Sequence, residues 1–433
     1  MGPGHQPSTL HGLGRAPSDL HEIVTRPGIA SRVSLRRAAG PGLLIAGYVA
    51  LWFWAGFVPI VPTDLDISFW PSAKVALAGH PLLVYAPAGQ QPYPNANGPL
   101  SLLPLTAAGA IVRELGWQGD FQLRRSVAFA IFSLFILGMA REGVGAIDRL
   151  RGRRLDGLPR LLAYGTLALG SPLWQSLAGY GHIEQAMEVW LALLAVRWLN
   201  RGWALRAGIA VGLMVLARSV AALLCLPLVL TAWRLGSTRA AGFLASAAVT
   251  GVAGLLPFLV ADPADVEHSL FTYRGSLPIG AGSIWNIARG GPLGAVGQHY
   301  DIVFVTALAL ALNLWLASRP GGFTEQRLFA GMALTASCLA LLAKTVWPYY
   351  LMEAYVFATV WAFGRWRAGD GWFALLMAPA AISVLGALAE FGSTPGLQLG
   401  PIGVEGVAMF VLLGAWMLWT ALLAGGPTRG PAA

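Results

Sequence analysis

The chain has 433 residues, of which 56% are hydrophobic and 11% are charged, and its mean hydropathy is +0.62. This composition excludes an ordinary soluble globular protein and is typical of a membrane protein with several spans. The formal net charge is +9, but the basic residues are scattered between apolar runs and form no basic face, so the charge does not indicate nucleic-acid binding.

The apolar runs define one long membrane domain between two polar tails. Residues 1–40 are polar, rich in Pro and Gly and bear several arginines, so we expect a disordered cytoplasmic tail there. Runs of about 20 apolar residues, some of them shorter, then predict about twelve transmembrane helices in a single domain over 41–424. Residues 425–433 form a predicted cytoplasmic tail. The predicted spans are 41–61, 124–140, 161–177, 184–199, 206–217, 219–233, 240–261, 301–317, 327–343, 347–363, 372–390 and 401–424.

The distribution of charge predicts which side each loop faces. With both termini inside, most of the 29 Lys and Arg fall in cytoplasmic loops or at span ends. Two long loops, 62–123 and 262–300, then lie outside, and acidic residues collect there. The short apolar segment Leu100–Val112 is expected to lie along the outer interface as a juxtamembrane helix, because a span there would place the arginines of 141–160 outside. The predicted fold class is an all-α polytopic membrane protein with its chemistry on the outer face.

The first outer loop begins with Asp64 and Asp66, and carboxylates at the mouth of a membrane span are costly unless they have a function. On a helix, residues two apart point in different directions, so this pair does not suit a carboxylate dyad. We expect one aspartate to be a general base, while the other caps the following helix or holds the first in place. A pair of solvated helix-capping carboxylates is the alternative. Later in the loop, Tyr93 and Asn97 are predicted to bind substrate.

The outer end of the third predicted span carries the segment Gly179–Glu184, with the sequence GYGHIE. A glycine-rich break lets the backbone approach a ligand closely. We therefore expect His182 and Glu184 to face the same cavity as the two aspartates and to bind substrate. The alternative is a capped span end with a polar anchor.

Arg218 lies within the apolar stretch GLMVLARSVAALLCLPLVL, which is too short for two full spans. This pattern predicts two half-length helices that meet at Arg218 below the outer surface. A guanidinium there costs several kcal/mol unless an anion pairs with it. A lipid phosphate suits it through bidentate hydrogen bonds, and a structural ion pair with Glu188 or Glu353 is the alternative.

The second outer loop and the start of the tenth span carry cations and aromatic residues together. Such a combination suits the binding of a phosphate and a sugar. An aromatic belt with a snorkelling lysine is the alternative. The predicted phosphate-binding cations are Arg274 and Lys344, and the predicted substrate-binding aromatic residues are Tyr273, Trp285, Tyr349 and Tyr350.

Taken in order, these segments resemble the GT-C superfamily of glycosyltransferases that use polyprenyl-phosphate sugars. The resemblance lies in TDLDISFWPSAKVALAGHPLLVY, in YPNANGPLSLLPL, in the GHIE segment, in AGIAVGLMVLAR, in YRG and GSIWN, and in KTVWPYY. Within the superfamily the pattern resembles the bacterial polyprenyl-phosphate-mannose mannosyltransferases, which include the phosphatidylinositol-mannoside enzymes. The chain departs from the family pattern in two places, since Tyr93-Pro94-Asn95 stands for Y-P-P and Arg218 for a lysine.

The resemblance implies a GT-C-like fold and an inverting transfer of a sugar, mannose by resemblance, outside the cytoplasmic membrane. The family's catalytic base falls on Asp66 and its phosphate-binding cation on Arg218. The implied partners are a polyprenyl-phosphate-sugar donor and a glycolipid or glycan acceptor. No cofactor is required because fixed cations neutralise a monophosphate, and a divalent metal at Asp64 and Asp66 is the less favoured alternative.

Two rival functions remain open at this point. Twelve spans with both termini inside also suit a transporter or a flippase of lipid-linked sugars, although carriers usually contain repeats and midplane charges. A non-catalytic scaffold of the cell envelope is the third possibility, but it gives no reason for Arg218 within an apolar run.

Overall fold

The structure, a computed structural model, describes residues 27–57, 62–86, 94–280, 282–365, 371–393 and 404–426. Within these residues the chain is helical and contains no strand. The helices in chain order are α1 Pro27–Phe57, α2 Trp70–Leu77, α3 Pro99–Glu114, α4 Phe121–Arg151, α5 Gly157–Leu169, α6 Ser171–Gln175, α7 Gln185–Asn200, α8 Ala204–Ala217, α9 Cys225–Arg234, α10 Ser237–Ala261, α11 Pro263–Glu267, α12 Tyr273–Ser276, α13 Pro292–Ser318, α14 Glu325–Leu342, α15 Met352–Arg365, α16 Gly371–Leu375, α17 Ala381–Ser393 and α18 Val404–Gly425.

Tighter or wider helical turns join several of these helices. Among the described residues, four segments are π-helical, namely Leu65–Phe69, Ser176–Tyr180, His268–Thr272 and Leu376–Ala380. Three segments in the same part of the chain are 3-10 helical, namely Ser219–Leu224, Ile284–Ala288 and Pro348–Leu351. The chain divides into two compact units, Met1–Leu43 and Leu44–Ala433. The first contains the beginning of α1, and the second contains the remaining helices and the candidate site.

Five helical segments among the described residues are long and apolar enough to cross a membrane. They are Gly40–Phe57, Phe121–Arg151, Ser237–Ala261, Pro292–Ser318 and Gly406–Gly425. Three further apolar helical segments are shorter, namely Ala204–Ala217, Ser219–Arg234 and Phe373–Ala389. The structure therefore supports an all-α membrane protein. The count of about twelve spans and the orientation in the membrane stay predictions.

Several boundaries differ from those expected. Residues 27–40, which we expected to be disordered, are helical because α1 begins at Pro27, a residue whose fixed φ suits the first helical position. Helix α4 extends through the expected cytoplasmic loop as far as Arg151, and Gly152 ends it in a left-handed conformation with φ 65°. Apolar periodicity detects only the lipid-compatible part of such a helix, so its polar extension was missed.

The core is formed by helices that are buried on all sides. Nearly every residue of α14 and α15 is buried, and α7 is buried along most of its length. By contrast, only 6% of the apolar window of α10 is buried inside the protein. Helices that are apolar all round belong in a core or in lipid. Accordingly, α7 and α15 carry buried carboxylates of the candidate site, Glu188 and Glu353, whereas α10 lies at the surface of the protein.

Candidate functional site

The two aspartates of the loop 62–123, which is expected outside, have different surroundings. The carboxylate of Asp66 turns inward, where it accepts hydrogen bonds from the amide and the hydroxyl of Thr63 at 3.2 and 3.3 Å. It also lies 3.1 Å from Arg125 and 3.8 Å from Arg124. A carboxylate that reaches back three residues to a threonine amide is a helix-capping arrangement. The carboxylate of Asp66, the expected base, therefore caps the start of the helix. The Asp64 side chain, by contrast, is 39% exposed.

His182 connects Asp64 to the interior. Its Nε2 lies 3.1 Å from the Asp64 carboxylate, as an ion pair that is not a well-aligned hydrogen bond. Its Nδ1 lies 2.7 Å from Glu184, which is fully buried. The ring of Tyr349 packs on the imidazole with 3.8 Å between ring centroids. The structure therefore brings together Asp64, His182 and Glu184, as expected.

The charges around His182 favour its protonated form. Burial alone would lower the pKa of the imidazole, but the negative charge of Glu184 and the interactions with Asp64 and Glu184 outweigh burial and raise the pKa to about 9. Hence His182 carries a positive charge at neutral pH and binds two carboxylates at once.

Gly181 allows the two site loops to approach each other. Its φ is +73°, a left-handed conformation that glycine adopts without strain. A Cβ at this position would overlap the amide of Leu65 and the hydroxyl of Thr63. The glycine-rich break expected from the sequence thus serves a backbone contact, which places His182 beside Asp64.

Arg218 lies where two short helices meet, as the sequence predicted. Helix α8 ends at Ala217, Arg218 has extended backbone, and the 3-10 turn toward α9 follows. The guanidinium is buried and pairs with Glu353 and, at 3.2 Å, with Glu188. Its Nε also lies 3.7 Å from Glu184. This is the pairing given above as the alternative to a lipid phosphate.

We call Asp64, His182, Glu184, Glu188, Arg218 and Glu353 the outer cluster, because Asp64 belongs to the loop that is expected on the outer face. In it four carboxylates face two cations, so its charge is negative unless protons are held by the carboxylates. An uncompensated buried charge costs several kcal/mol. Added phosphate would be repelled here, so this environment does not suit the phosphate role expected for Arg218. One Glu184 oxygen, Oε2, is buried without a hydrogen-bond partner.

The turn at Asn97 and Gly98 packs against the end of α8. The amide of Gly98 donates to the carbonyl of Ala217 at 3.2 Å, and a Cβ at Gly98 would overlap the carbonyl of Leu216. Asn97 is buried, and its carbonyl accepts from the Tyr85 hydroxyl at 2.8 Å. This turn packs beside Arg218, and the burial of Asn97 does not suit the substrate contact that was expected for it. Tyr93 lies outside the described residues.

Lys344 and Trp285 connect the segment 262–300 to the core. The Lys344 ammonium is buried and donates to the carbonyls of Gly275 and Gln298 at 2.6 and 2.8 Å. Burial lowers its pKa. The Trp285 indole donates to the carbonyl of Leu342 at 2.6 Å. Both side chains are occupied with carbonyls, so their positions do not suit the phosphate and substrate roles expected for them.

Arg274 is the remaining predicted phosphate ligand, and its surroundings are different. It is half-buried, and among the described residues no carboxylate lies within ion-pair distance of it. Its guanidinium carbon lies 5.6 Å from the ring centroid of Tyr350, which Arg218 contacts at 5.7 Å. Tyr273 packs beside His268, with 6.2 Å between the ring centroids.

An apolar cavity of about 410 Å³ lies between α8 and α10 and reaches Gly98 and Phe271. Its lining is apolar apart from Cys225 and Ser219, the residue that follows Arg218. Arg274 follows Phe271 by one short turn. Cavities of this size and polarity hold part of an apolar ligand.

Sequence reasoning missed several residues that bind the carboxylates of the site. The roles of Arg124 and Arg125 were hidden because basic residues near a span end are common. Gln185, which donates to Glu353 at 3.2 Å, gave no signal within an apolar helix. No group of three or more His, Cys, Asp or Glu suited to a metal ion occurs in the described part of the chain.

No protein-family model matches the chain, and no curated protein matches it.

Proposed function

We propose that the protein is an inverting glycosyltransferase that moves a sugar from a polyprenyl-phosphate donor to a hydroxyl group on the outer face of the cytoplasmic membrane. One observation carries the proposal. An exposed carboxylate, Asp64, lies 3.1 Å from the imidazole of His182, beside the buried charges of Glu184 and Arg218, in an otherwise apolar protein. Charges inside a membrane protein are costly, so they mark functional sites.

Asp64 is the general base of this proposal, in place of Asp66. Of these two aspartates, Asp64 has an accessible carboxylate and lacks the arginine pairs that bind Asp66. The acceptor hydroxyl oxygen attacks the anomeric carbon, its proton passes to Asp64, and the bond from that carbon to the phosphate oxygen breaks. The leaving group is the polyprenyl phosphate, which takes the bonding electron pair.

Arg274 is the cation that meets the leaving phosphate. The apolar cavity beside α10 suits a segment of the polyprenyl chain, since its lining is almost entirely apolar and α10 is the least buried candidate span. Developing charge on the phosphate needs a fixed cation in the transition state. Arg274 fits this role better than Arg218 because carboxylates do not already neutralise it.

The proposal is tested by mixing the purified protein with a labelled polyprenyl-phosphate mannose and a lipid or glycan extract. Transfer of label with inversion at the anomeric carbon, and its loss in Asp64→Asn, are the expected results. An Asp64→Asn variant that transfers at the wild-type rate would remove Asp64 as base. No transfer from mannose, glucose, galactose or arabinose donors would overturn the proposed function.

A carrier of lipid-linked sugars is the second candidate, and the outer cluster favours it. A row of ionisable residues that runs inward from Asp64 through His182 and Glu184 to Glu353 is also what a proton-coupled transporter contains. The carrier predicts movement of the intact lipid across the bilayer without cleavage of its sugar–phosphate bond.

A further inference from the structure

A group of aromatic side chains next to Asp64 has no role in the proposed transfer reaction. It consists of Tyr180, Trp347 and Tyr349. Tyr180 lies 5.0 Å from Tyr349 and 6.2 Å from Trp347, while Trp347 and Tyr349 are stacked with an interplanar angle of 6° at 6.3 Å. Tyr349 is buried, whereas Tyr180 and Trp347 are partly exposed. Tyr180 and Trp347 thus have accessible surface, and both rings pack against the buried ring of Tyr349.

Contacts of His182 and Gly181 place these rings beside Asp64. Tyr349 packs on His182, which binds Asp64. Tyr180 immediately precedes Gly181, which touches the backbone of the Thr63–Leu65 segment. Two independent connections therefore place the rings beside the exposed carboxylate.

We propose that Tyr180 and Trp347 form a platform for a pyranose ring, the terminal sugar of the acceptor. This inference rests on the proposed function. A pyranose has an apolar face of C–H groups and a polar rim, and tryptophan and tyrosine combine a wide apolar surface with a polar edge. A sugar that lies on the platform directs a hydroxyl to Asp64, whose carboxylate accepts the hydrogen bond.

The arrangement differs from an interfacial aromatic belt. Belt residues anchor a helix by facing lipid headgroups. Trp347 instead stacks on a buried tyrosine that contacts the outer cluster. Trp203 is a belt-like residue of the same chain, because it is 42% exposed and contacts Arg201 and Arg206. It is the matched control.

The first test measures sugar binding without turnover. Saturation-transfer NMR of methyl α-mannopyranoside, methyl glucopyranoside and methyl galactopyranoside is recorded with the full-length protein in detergent. Wild type and Trp203→Leu are expected to saturate the ring protons of at least one glycoside, and Trp347→Leu and Tyr180→Leu to reduce this signal about three- to tenfold. Thermal melting confirms that each variant is folded, and Trp347→Phe retains part of the signal.

The second test uses transfer kinetics. Trp347→Leu is expected to raise the acceptor KM by roughly three- to tenfold and to leave the donor KM unchanged. Equal glycoside binding by wild type and by both folded leucine variants would overturn the platform, as would a normal acceptor KM in an active Trp347→Leu protein. Glycoside binding that depends on Trp347 in a protein without transfer activity would instead overturn the proposed function and leave the sugar site standing.

Discussion

Two buried arginines in this protein have opposite kinds of partner. Arg218 is surrounded by the carboxylates of Glu184, Glu188 and Glu353. Arg327 is equally buried, but its guanidinium donates to five backbone carbonyls, which belong to residues 319, 320, 322, 424 and 426. Those carbonyls lie at the ends of α13 and α18, where helices leave acceptors without an intrahelical partner.

The difference separates a structural use of arginine from a functional one. Carbonyls carry no net charge, so Arg327 joins two helix ends and adds nothing that titrates. The outer cluster holds more carboxylates than cations and therefore must bind protons or cations to be stable. A protein rarely needs an excess of buried carboxylates over cations for stability alone. We infer that the outer cluster is the site of chemistry and that the Arg327 network is scaffold.

The largest expected effect separates Asp64 from Asp66. Asp64→Asn should lower kcat for transfer by about 10²- to 10⁴-fold, the range for loss of a general base, with little change in melting temperature. Asp66→Asn should chiefly lower the melting temperature, because it removes the helix cap and the pairs with Arg124 and Arg125. A folded, inactive Asp66→Asn protein beside an active Asp64→Asn protein would return the base to Asp66.

The arginine comparison is tested directly by Arg218→Met and Arg327→Met. Each should reduce stability, and removing one partner of a buried ion pair costs about 3–5 kcal/mol. The two variants differ in their response to pH. Lower pH should restore stability to Arg218→Met, because protonation removes the repulsion among its carboxylates, and should not help Arg327→Met, since carbonyls do not titrate.

The control for this prediction is the double variant Arg218→Met/Glu353→Gln, which should recover part of the lost stability. Thermal melting between pH 5 and 8 measures all three proteins. The same pH response in both single variants would contradict the distinction between the two arginines.

His182 provides a pH-dependent part of the stability. The pKa of His182 is raised to about 9 in the folded protein from its ordinary value of 6.5. Its stabilising contribution is therefore complete below about pH 6.5 and is lost as the pH rises through 9, a change of about 3 kcal/mol. Melting temperature should fall between pH 7 and 10 in wild type and stay nearly flat in His182→Gln. The exposed His299→Gln should behave as wild type, and an equal fall in His182→Gln would refute the assignment.

Arg274 should affect the donor alone. Arg274→Met is expected to raise the donor KM or lower kcat about 10- to 100-fold, the range for a charged hydrogen bond of about 1.5–3 kcal/mol. Arg289→Met, an exposed arginine of the same outer loop, is the control and should leave both constants unchanged. If Arg218→Met raised the donor KM and Arg274→Met did not, the phosphate would belong to Arg218.

The smallest effect is expected at Gly181. Gly181→Ala should cost about 1–2 kcal/mol from its left-handed backbone and should also lower kcat, because the added methyl group separates His182 from Asp64. Gly79→Ala is the matched control, since Gly79 has φ 95° and open space around it. It should lose comparable stability and keep its activity. Equal activity in the two variants would show that the contact at Gly181 has no role in the site.

The sequence was sufficient to predict the all-α class, the break at Arg218 and the grouping of Asp64, His182 and Glu184. Apolar periodicity and the cost of isolated charges underlie the first two predictions, and the glycine-rich segment Gly179–Glu184 underlies the third. Periodicity failed at helix ends, where α4 continues through polar residues to Arg151.

The individual roles within the site were harder to predict. Nothing in the spacing of Asp64 and Asp66 shows that the second is drawn to Arg125, because that arginine is 59 residues away along the chain. Lys344 looked available for phosphate, yet it is buried against carbonyls that are distant in sequence. Such assignments depend on tertiary contacts, and no local pattern encodes them.

The central claim is that the outer cluster performs sugar transfer, and proteoliposomes test it most directly. Vesicles that contain wild type, Asp64→Asn or Arg327→Lys are loaded with a labelled polyprenyl-phosphate sugar and an acceptor extract. Labelled product and intact donor in each leaflet are then measured together. We expect wild type to form labelled product, Arg327→Lys to retain most of that activity, and Asp64→Asn to form almost none. Movement of intact donor between leaflets by wild type, with no labelled product, would contradict the transferase and identify a carrier.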